Sequence, residues 1–221
     1  DLIMLRTFEE ATLLEMAEYA SVPVINGLTE KSHPCQIIAD LLTLEEAGLT
    51  LKGSRIAWVG DGNNMAQSWI EAAGMFGLDL VVACPDGYAP DPQLVNAARA
   101  QQKQTGGSIT LTTRPEQAAE GAHVLNTDVW ASMGQEAEAA KRQAAFVGYR
   151  IDQALLERSA KDSIVLHCLP AHRGEEITGD VLDGHDLVEV GVVDLGDRVG
   201  GGVLGVGRGL ATDGVGGGVL G

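Results

Sequence analysis

The sequence predicts an α/β protein whose main unit is a parallel, Rossmann-like sheet with helices on both faces. Three observations predict it. Short apolar runs recur at Arg55–Val59, Leu80–Ala83, Ser108–Thr112, His123–Leu125 and Ile164–His167. Helical patterns lie between most of them, at Ala66–Phe76, Pro92–Thr105, Pro115–Glu120 and Asp152–Ser159. Polar or glycine-bearing clusters directly follow three of the runs. Strands that are apolar along their length are buried on both faces, the habit of parallel sheets joined by helical crossovers. In such sheets ligands bind beyond the carboxyl ends of the strands. Gly60-Asp61-Gly62-Asn63-Asn64, Asn126-Thr127-Asp128 and His167-Cys168 are therefore expected at one rim.

The elements before this unit read in order. Leu2–Leu5 is a short strand ending at Arg6. Glu9–Tyr19 has helical spacing, with Leu13, Leu14, Met16 and Ala17 on its apolar side. Val22–Ile25 reads as a second strand that turns at Asn26-Gly27. Pro34, a favoured early helical residue, opens a helix through Ile37, Leu41 and Leu44 that stops near Gly48.

Composition narrows the function. A chain of 221 residues with 45% apolar content can bury a core. A net charge of -16 argues against nucleic acid, whose phosphates select basic surfaces. A small anionic ligand is still compatible, because a local pocket can be positive on an acidic protein. Cys35, Cys84 and Cys168 are an odd, widely spaced set, so a reduced, cytoplasmic setting is expected rather than a disulfide framework. Neither a zinc-type Cys/His cluster nor an apolar run of membrane-spanning length is present, and no metal, cofactor or membrane partner is expected. The chain begins without Met and without a signal-peptide pattern, and is expected to be a fragment. Beyond Gly184 it holds 13 of its 29 glycines, and Val-Gly-Gly-Gly-Val-Leu-Gly occurs twice, from Val199 and from Val215. Residues 184–221 therefore read as a low-complexity, disordered tail.

Five clusters bear on chemistry. Arg6 ends a strand, where it can donate to a carbonyl or phosphate, or form a surface ion pair. In Ser32-His33-Pro34-Cys35-Gln36, His33 precedes a helix and Gln36 lies in its first turn. Both can point with the helix N-terminus at an electron-rich oxygen, or the segment is a cap with a solvated His. Gly60-Asp61-Gly62-Asn63-Asn64 has Met65 where a dinucleotide fingerprint needs its third glycine, and no clear acidic residue closes the next strand. A nicotinamide site is therefore weakly supported, and a loop with Asn64 as a polar contact fits better. Asp128 can fix a cationic amine, or cap a helix beside a buried Trp130. Cys168 reads as nucleophile, weak donor or packing. No partnered base is evident, so covalent catalysis is not expected, and Leu169-Pro170 is a candidate cis bond.

Taken together, the segments resemble the aspartate/ornithine carbamoyltransferase family in its ornithine branch. The matching wording is Met4-Leu5-Arg6-Thr7-Phe8, Ser21–Leu28, His33-Pro34-Cys35-Gln36, Val59–Asn64, Asp128–Gly134 and His167-Cys168-Leu169-Pro170, over residues 1 to about 184. The resemblance implies carbamoyl transfer from carbamoyl phosphate to the δ-amine of ornithine, giving citrulline, in arginine biosynthesis or the urea cycle. It implies that Arg6, His33 and Gln36 contact carbamoyl phosphate. Asn64, Asp128, Ser132 and Met133 would hold ornithine, and Cys168 and the Leu169 backbone would lie between the two substrates. Residues 1–45 would be a remnant of the carbamoyl phosphate domain and linking helix, residues 46–183 the ornithine domain, and residues 184–221 the tail. Family members are commonly homotrimers.

Two departures from the family pattern are expected to impair turnover. The family's Ser-Thr-Arg-Thr phosphate loop is not found, and its C-terminal helix and the Arg preceding it have no counterpart in the glycine-rich segment. A change of reading frame near codon 184 would produce that shift in composition. The competing readings are a non-catalytic amino-acid-binding module and a carbamoyltransferase for another amine.

Overall fold

The computed structural model describes residues 1–131, 136–184 and 187–189. Two strands, β1 (Ile3–Arg6) and β2 (Val24–Leu28), pair in parallel and are joined by helix α1 (Glu10–Tyr19). Helix α2 (Pro34–Glu46) leads into the main unit. There β3 (Arg55–Val59), α3 (Asn64–Phe76), β4 (Asp79–Ala83), α4 (Pro92–Thr105), β5 (Ser108–Thr112), α5 (Pro115–Ala119) and β6 (Val124–Thr127) follow in alternation. The remaining described helices and strands are α6 (Ala139–Ala145), α7 (Gln153–Leu156), β7 (Ile164–His167), α8 (Gly179–Leu182) and β8 (Leu187–Glu189).

The strand order is β5-β4-β3-β6-β7-β8, every pair parallel. Numbered within the sheet this is 3-2-1-4-5-6, the doubly wound Rossmann order. The expected fold class is therefore the observed one. Alternation along β3 shows why both faces are covered. Ile56 and Trp58 join a core with Leu44 of α2, Trp69 of α3 and Val95 of α4. Ala57 and Val59 join a second core with Ala118 of α5, Phe146 and Leu155 of α7. Successive strand side chains point to opposite faces, so four consecutive residues, Ile56 to Val59, serve two cores.

Local signals fix the helix ends. The Asn63 side chain caps α3 by accepting from the amides of Met65 and Ala66, and Gly77 ends it at φ 68. Asp91 caps α4 through the Gln93 amide, and Pro92 occupies its first turn.

Some expectations are corrected. Asn26 and Gly27 lie inside β2 rather than in a turn. Asn64 opens α3 instead of ending a loop, because Asn63 rather than Asn64 supplies the cap. The helix expected over Asp152–Ser159 is the single turn Gln153–Leu156, with Asp152 as its cap. Leu187–Glu189, expected in the low-complexity tail, is the sixth strand and pairs with Val165–His167. Its three residues need only one paired neighbour to be held at the sheet edge. The rest of that tail, and Ser132 and Met133, lie outside the described residues. No helix among the described residues is long and apolar enough to cross a membrane.

Candidate functional site

The strand order reverses between β3 and β6, and a cleft opens at the carboxyl ends of these strands. Its volume is about 430 Å³. Arg6, His33, Gln36, Asn64, Asp128, Cys168 and Leu169 all line it. They come from β1, α2, α3 and the segments after β6 and β7, more than 160 positions apart at the extremes. All the described residues expected at the site are thus brought together; Ser132 and Met133 lie outside the described residues.

The rim is held by bonds at the switch point. The Thr127 hydroxyl donates to the Val59 carbonyl over 2.7 Å, tying the end of β6 to that of β3. Glycine is required at position 62, because a Cβ there would meet the Pro90 nitrogen at 2.4 Å and the Tyr88 carbonyl at 2.5 Å.

Asp128 follows β6 and is buried. Its Oδ1 accepts from the Val129 amide at 2.8 Å and from the Cys168 thiol at 3.1 Å. Its Oδ2 accepts from Asn63 Nδ2 at 2.9 Å. Among the described residues no cationic side chain is ion-paired with it. Burial first, and then the neighbouring Asp128, push the Cys168 thiol well above its ordinary range. Cys168 is therefore a protonated donor at neutral pH, and the nucleophile reading is disfavoured.

Leu169 has φ 49, uncommon for a non-glycine residue, and the Leu169–Pro170 peptide is cis as the sequence suggested. A buried pair supports this turn. His167 Nδ1 accepts from the Leu169 amide at 2.9 Å, and His167 Nε2 meets Glu176 Oε1 at 3.1 Å. An accepting Nδ1 assigns the proton to Nε2, so His167 donates to Glu176. The same Glu176 oxygen accepts from the His172 amide. His172, Glu175 and Glu176 also bring possible metal-ligand atoms within 4.8 Å of one another, but Glu176 Oε1 is already engaged in holding the turn.

On the opposite wall, His33 precedes α2 and makes no side-chain cap; it is buried, not solvated. Burial first, and Arg6 second, lower its pKa to about 4, so the ring is neutral at pH 7 and has a single N–H to offer. Its backbone amide donates to Ser68 Oγ at 2.8 Å. Gln36 Nε2 donates to Asp40 Oδ1 at 2.9 Å, deep in α2. Asn64 Nδ2 donates to the Thr29 carbonyl at 2.9 Å, joining α3 to the segment after β2. Trp130 is buried as well, with its Nε1 donating to the Tyr149 carbonyl.

Several supporting residues were not found from the sequence. Asn63 could have been read as a helix cap, but not as the partner of Asp128, which lies 65 positions away. Arg142 pairs with Asp61 at 2.6 Å, both side chains buried, and also donates to the Trp130 carbonyl at 3.0 Å. No sequence signal marks that pair, 81 positions apart.

The comparisons with known proteins agree with this geometry. Residues 52–190 match the family described as aspartate/ornithine carbamoyltransferase, Asp/Orn binding domain. Residues 1–46 match its carbamoyl-P binding domain. The chain is similar to the ornithine carbamoyltransferase of Geobacter sulfurreducens, 56% identical over 184 residues, covering 83% of this chain and 60% of that protein. The enzyme of that name from Pelobacter propionicus is 55% identical, covering 83% of this chain and 59% of the relative. Among solved structures, ornithine carbamoyltransferase from Pyrococcus furiosus matches with a TM-score of 0.81 at 46% identity, covering 86% of this chain and 60% of that one. The anabolic enzyme from Campylobacter jejuni matches with a TM-score of 0.81 at 36% identity, covering 83% and 61%. The chain thus spans about three fifths of the length of these relatives. On family match, identity and a shared doubly wound sheet, the chain belongs to the aspartate/ornithine carbamoyltransferase family.

Proposed function

We propose that this chain carries the second-substrate half, and part of the first-substrate half, of a transferase that moves the carbamoyl group of carbamoyl phosphate to the δ-amine of L-ornithine. Residues 1–45 would belong to the carbamoyl phosphate half and residues 46–183 to the ornithine half. The carrying observation is the buried Asp128 carboxyl, which faces the cleft with three donors and no countercharge among the described side chains. A buried charge without a partner is costly, and an amino-acid ammonium group would supply the missing cation.

The δ-amine lone pair attacks the carbamoyl carbon, the carbon–oxygen bond to phosphorus breaks, and phosphate leaves with the electron pair. The proton lost from nitrogen passes to phosphate, giving L-citrulline. Arg6 and the neutral His33 would donate to the oxygen that gains charge in the tetrahedral state. Gln36 would orient the carbamoyl group. Asn64 and Asp128, with Ser132 and Met133 from the segment beyond Ala131, would hold ornithine. Cys168 and the Leu169 backbone would separate the two reactants and fix their approach. Holding two reactants in line can supply several kcal/mol of the barrier. The amine must be neutral to attack, so turnover should rise toward alkaline pH. Neither a metal nor an organic cofactor is required by this scheme, and a homotrimer is the expected assembly.

Two measurements test it. Calorimetry should detect L-ornithine binding to the chain, abolished in Asp128→Ala. Colorimetric citrulline assay at pH 8 with both substrates reports turnover. Binding without turnover would favour the non-catalytic reading, and absence of both would sink the proposal.

A further inference from the structure

Asn63 makes more bonds than a helix cap needs. Its Oδ1 accepts from the Met65 amide at 3.0 Å and the Ala66 amide at 3.2 Å. Two amide donors at that position require oxygen there, so the nitrogen must face the other way. It faces Asp128, whose Oδ2 it meets at 2.9 Å. Asp128 Oδ1 already accepts two bonds, from Val129 and Cys168. An oxygen of this kind has two lone-pair directions. An incoming ammonium group is therefore directed to Oδ2, the oxygen that Asn63 holds. Ser and Asp cap helices as well as Asn does, yet ionised Asp has no donor and Ser carries its proton on the capping oxygen itself, so neither sets a separate N–H toward Asp128. The side chain at 63 is thus specified by Asp128 as well as by the helix.

We infer that Asn63 is a positioning residue that aims the Asp128 carboxyl into the cleft for the amine of the second substrate. The inference rests on the proposed amino-acid site. It predicts that capping and binding separate on mutation.

Asn63→Ser and Asn63→Asp both keep a capping oxygen and remove the Nδ2 amide that reaches Asp128, and Asn63→Asp adds a like charge facing Asp128. The expected result is a melting temperature close to wild type in Asn63→Ser and lower in Asn63→Asp, with L-ornithine affinity at least tenfold weaker in both variants and weakest in Asn63→Asp. Unchanged affinity would overturn the inference. So would a loss of affinity seen only together with a loss of melting temperature.

A second readout needs no substrate. The Cys168 thiol donates to Asp128 Oδ1 at 3.1 Å, and burial first and this carboxyl second push the thiol upward. Releasing Asp128 should therefore speed alkylation of Cys168 at pH 9 several-fold, followed by peptide mass spectrometry to separate it from Cys35 and Cys84. If wild type binds no L-ornithine, the proposed function fails while this rate still decides the role of Asn63. An unchanged alkylation rate in Asn63→Ser then overturns it.

Discussion

Cys168 donates its thiol proton to Oδ1 of Asp128 across 3.1 Å, joining the segments that follow β7 and β6. The acceptor is the group that the proposed mechanism gives to the substrate amine, so the thiol tunes a binding carboxyl and is not itself activated. Burial and the neighbouring carboxyl keep the thiolate scarce. Incubation with carbamoyl phosphate should leave the Cys168-containing peptide at its unmodified mass. Iodoacetamide at pH 7 should react with Cys168 more than tenfold slower than with a free thiol. A carbamoylated Cys168 would show covalent catalysis and refute this account.

Asp128 should be less tolerant than Cys168. Cys168→Ser keeps a donor at Oδ1, whereas Asp128→Asn removes the charge that would meet the ammonium group. Loss of one partner from a buried charged contact costs roughly 2–5 kcal/mol. L-Ornithine affinity should fall at least thirtyfold in Asp128→Asn and by less than tenfold in Cys168→Ser, as read by calorimetry. Equal effects would mean that the carboxyl is not the amine's anchor.

The fold and most of the cleft were legible because their signals are local. Apolar runs marked β3, β4, β5 and β7, and the polar residues that follow β3, β6 and β7 meet at the rim because a doubly wound sheet sends their carboxyl ends there. Pro34 marked the start of α2, which placed His33 and Gln36. The supporting shell was not legible, because its partners are remote. Asn63 reaches Asp128 65 positions away, and Asp61 meets Arg142 81 positions away. β8 was hidden by composition, as Leu187-Val188-Glu189 adjoins a glycine-rich segment and owes its pairing to β7. The site's resemblance to a family named the residues of the cleft but not those that orient them.

Arg142 and Asp61 should behave as one unit. Burial raises the Asp61 pKa, with Arg142 acting against that rise, so Asp61 depends on this cation to remain ionised. Arg142 also lies over the Tyr88 ring, 5.1 Å from its centre, and holds the Trp130 carbonyl beside the cleft wall. Arg142→Met leaves a carboxyl buried alone and should cost about 3–5 kcal/mol in urea unfolding. Adding Asp61→Asn to that variant should recover part of the loss, since the charge that lost its partner is gone. A double variant less stable than Arg142→Met would show that the ion pair is not the source of the effect.

His33 and Asp40, both in or beside α2, should pull stability in opposite directions with pH. Burial and Arg6 lower His33 from 6.5 to about 4, so the unfolded chain binds its proton more readily than the folded one. That contribution is present above pH 6.5 and is lost as pH falls toward 4, by about 3 kcal/mol at 1.4 kcal/mol per tenfold. Burial raises Asp40 from 3.8 to about 7, with the Gln36 hydrogen bond opposing it. Its contribution is present below pH 3.8 and is lost as pH rises toward 7, by about 4 kcal/mol on the same arithmetic. Urea midpoints measured from pH 4 to pH 8 test both signs. His33→Gln should gain on wild type as pH falls, and Asp40→Asn should gain as pH rises, whatever each costs in packing. Curves parallel to wild type would show that neither group is desolvated as its burial implies.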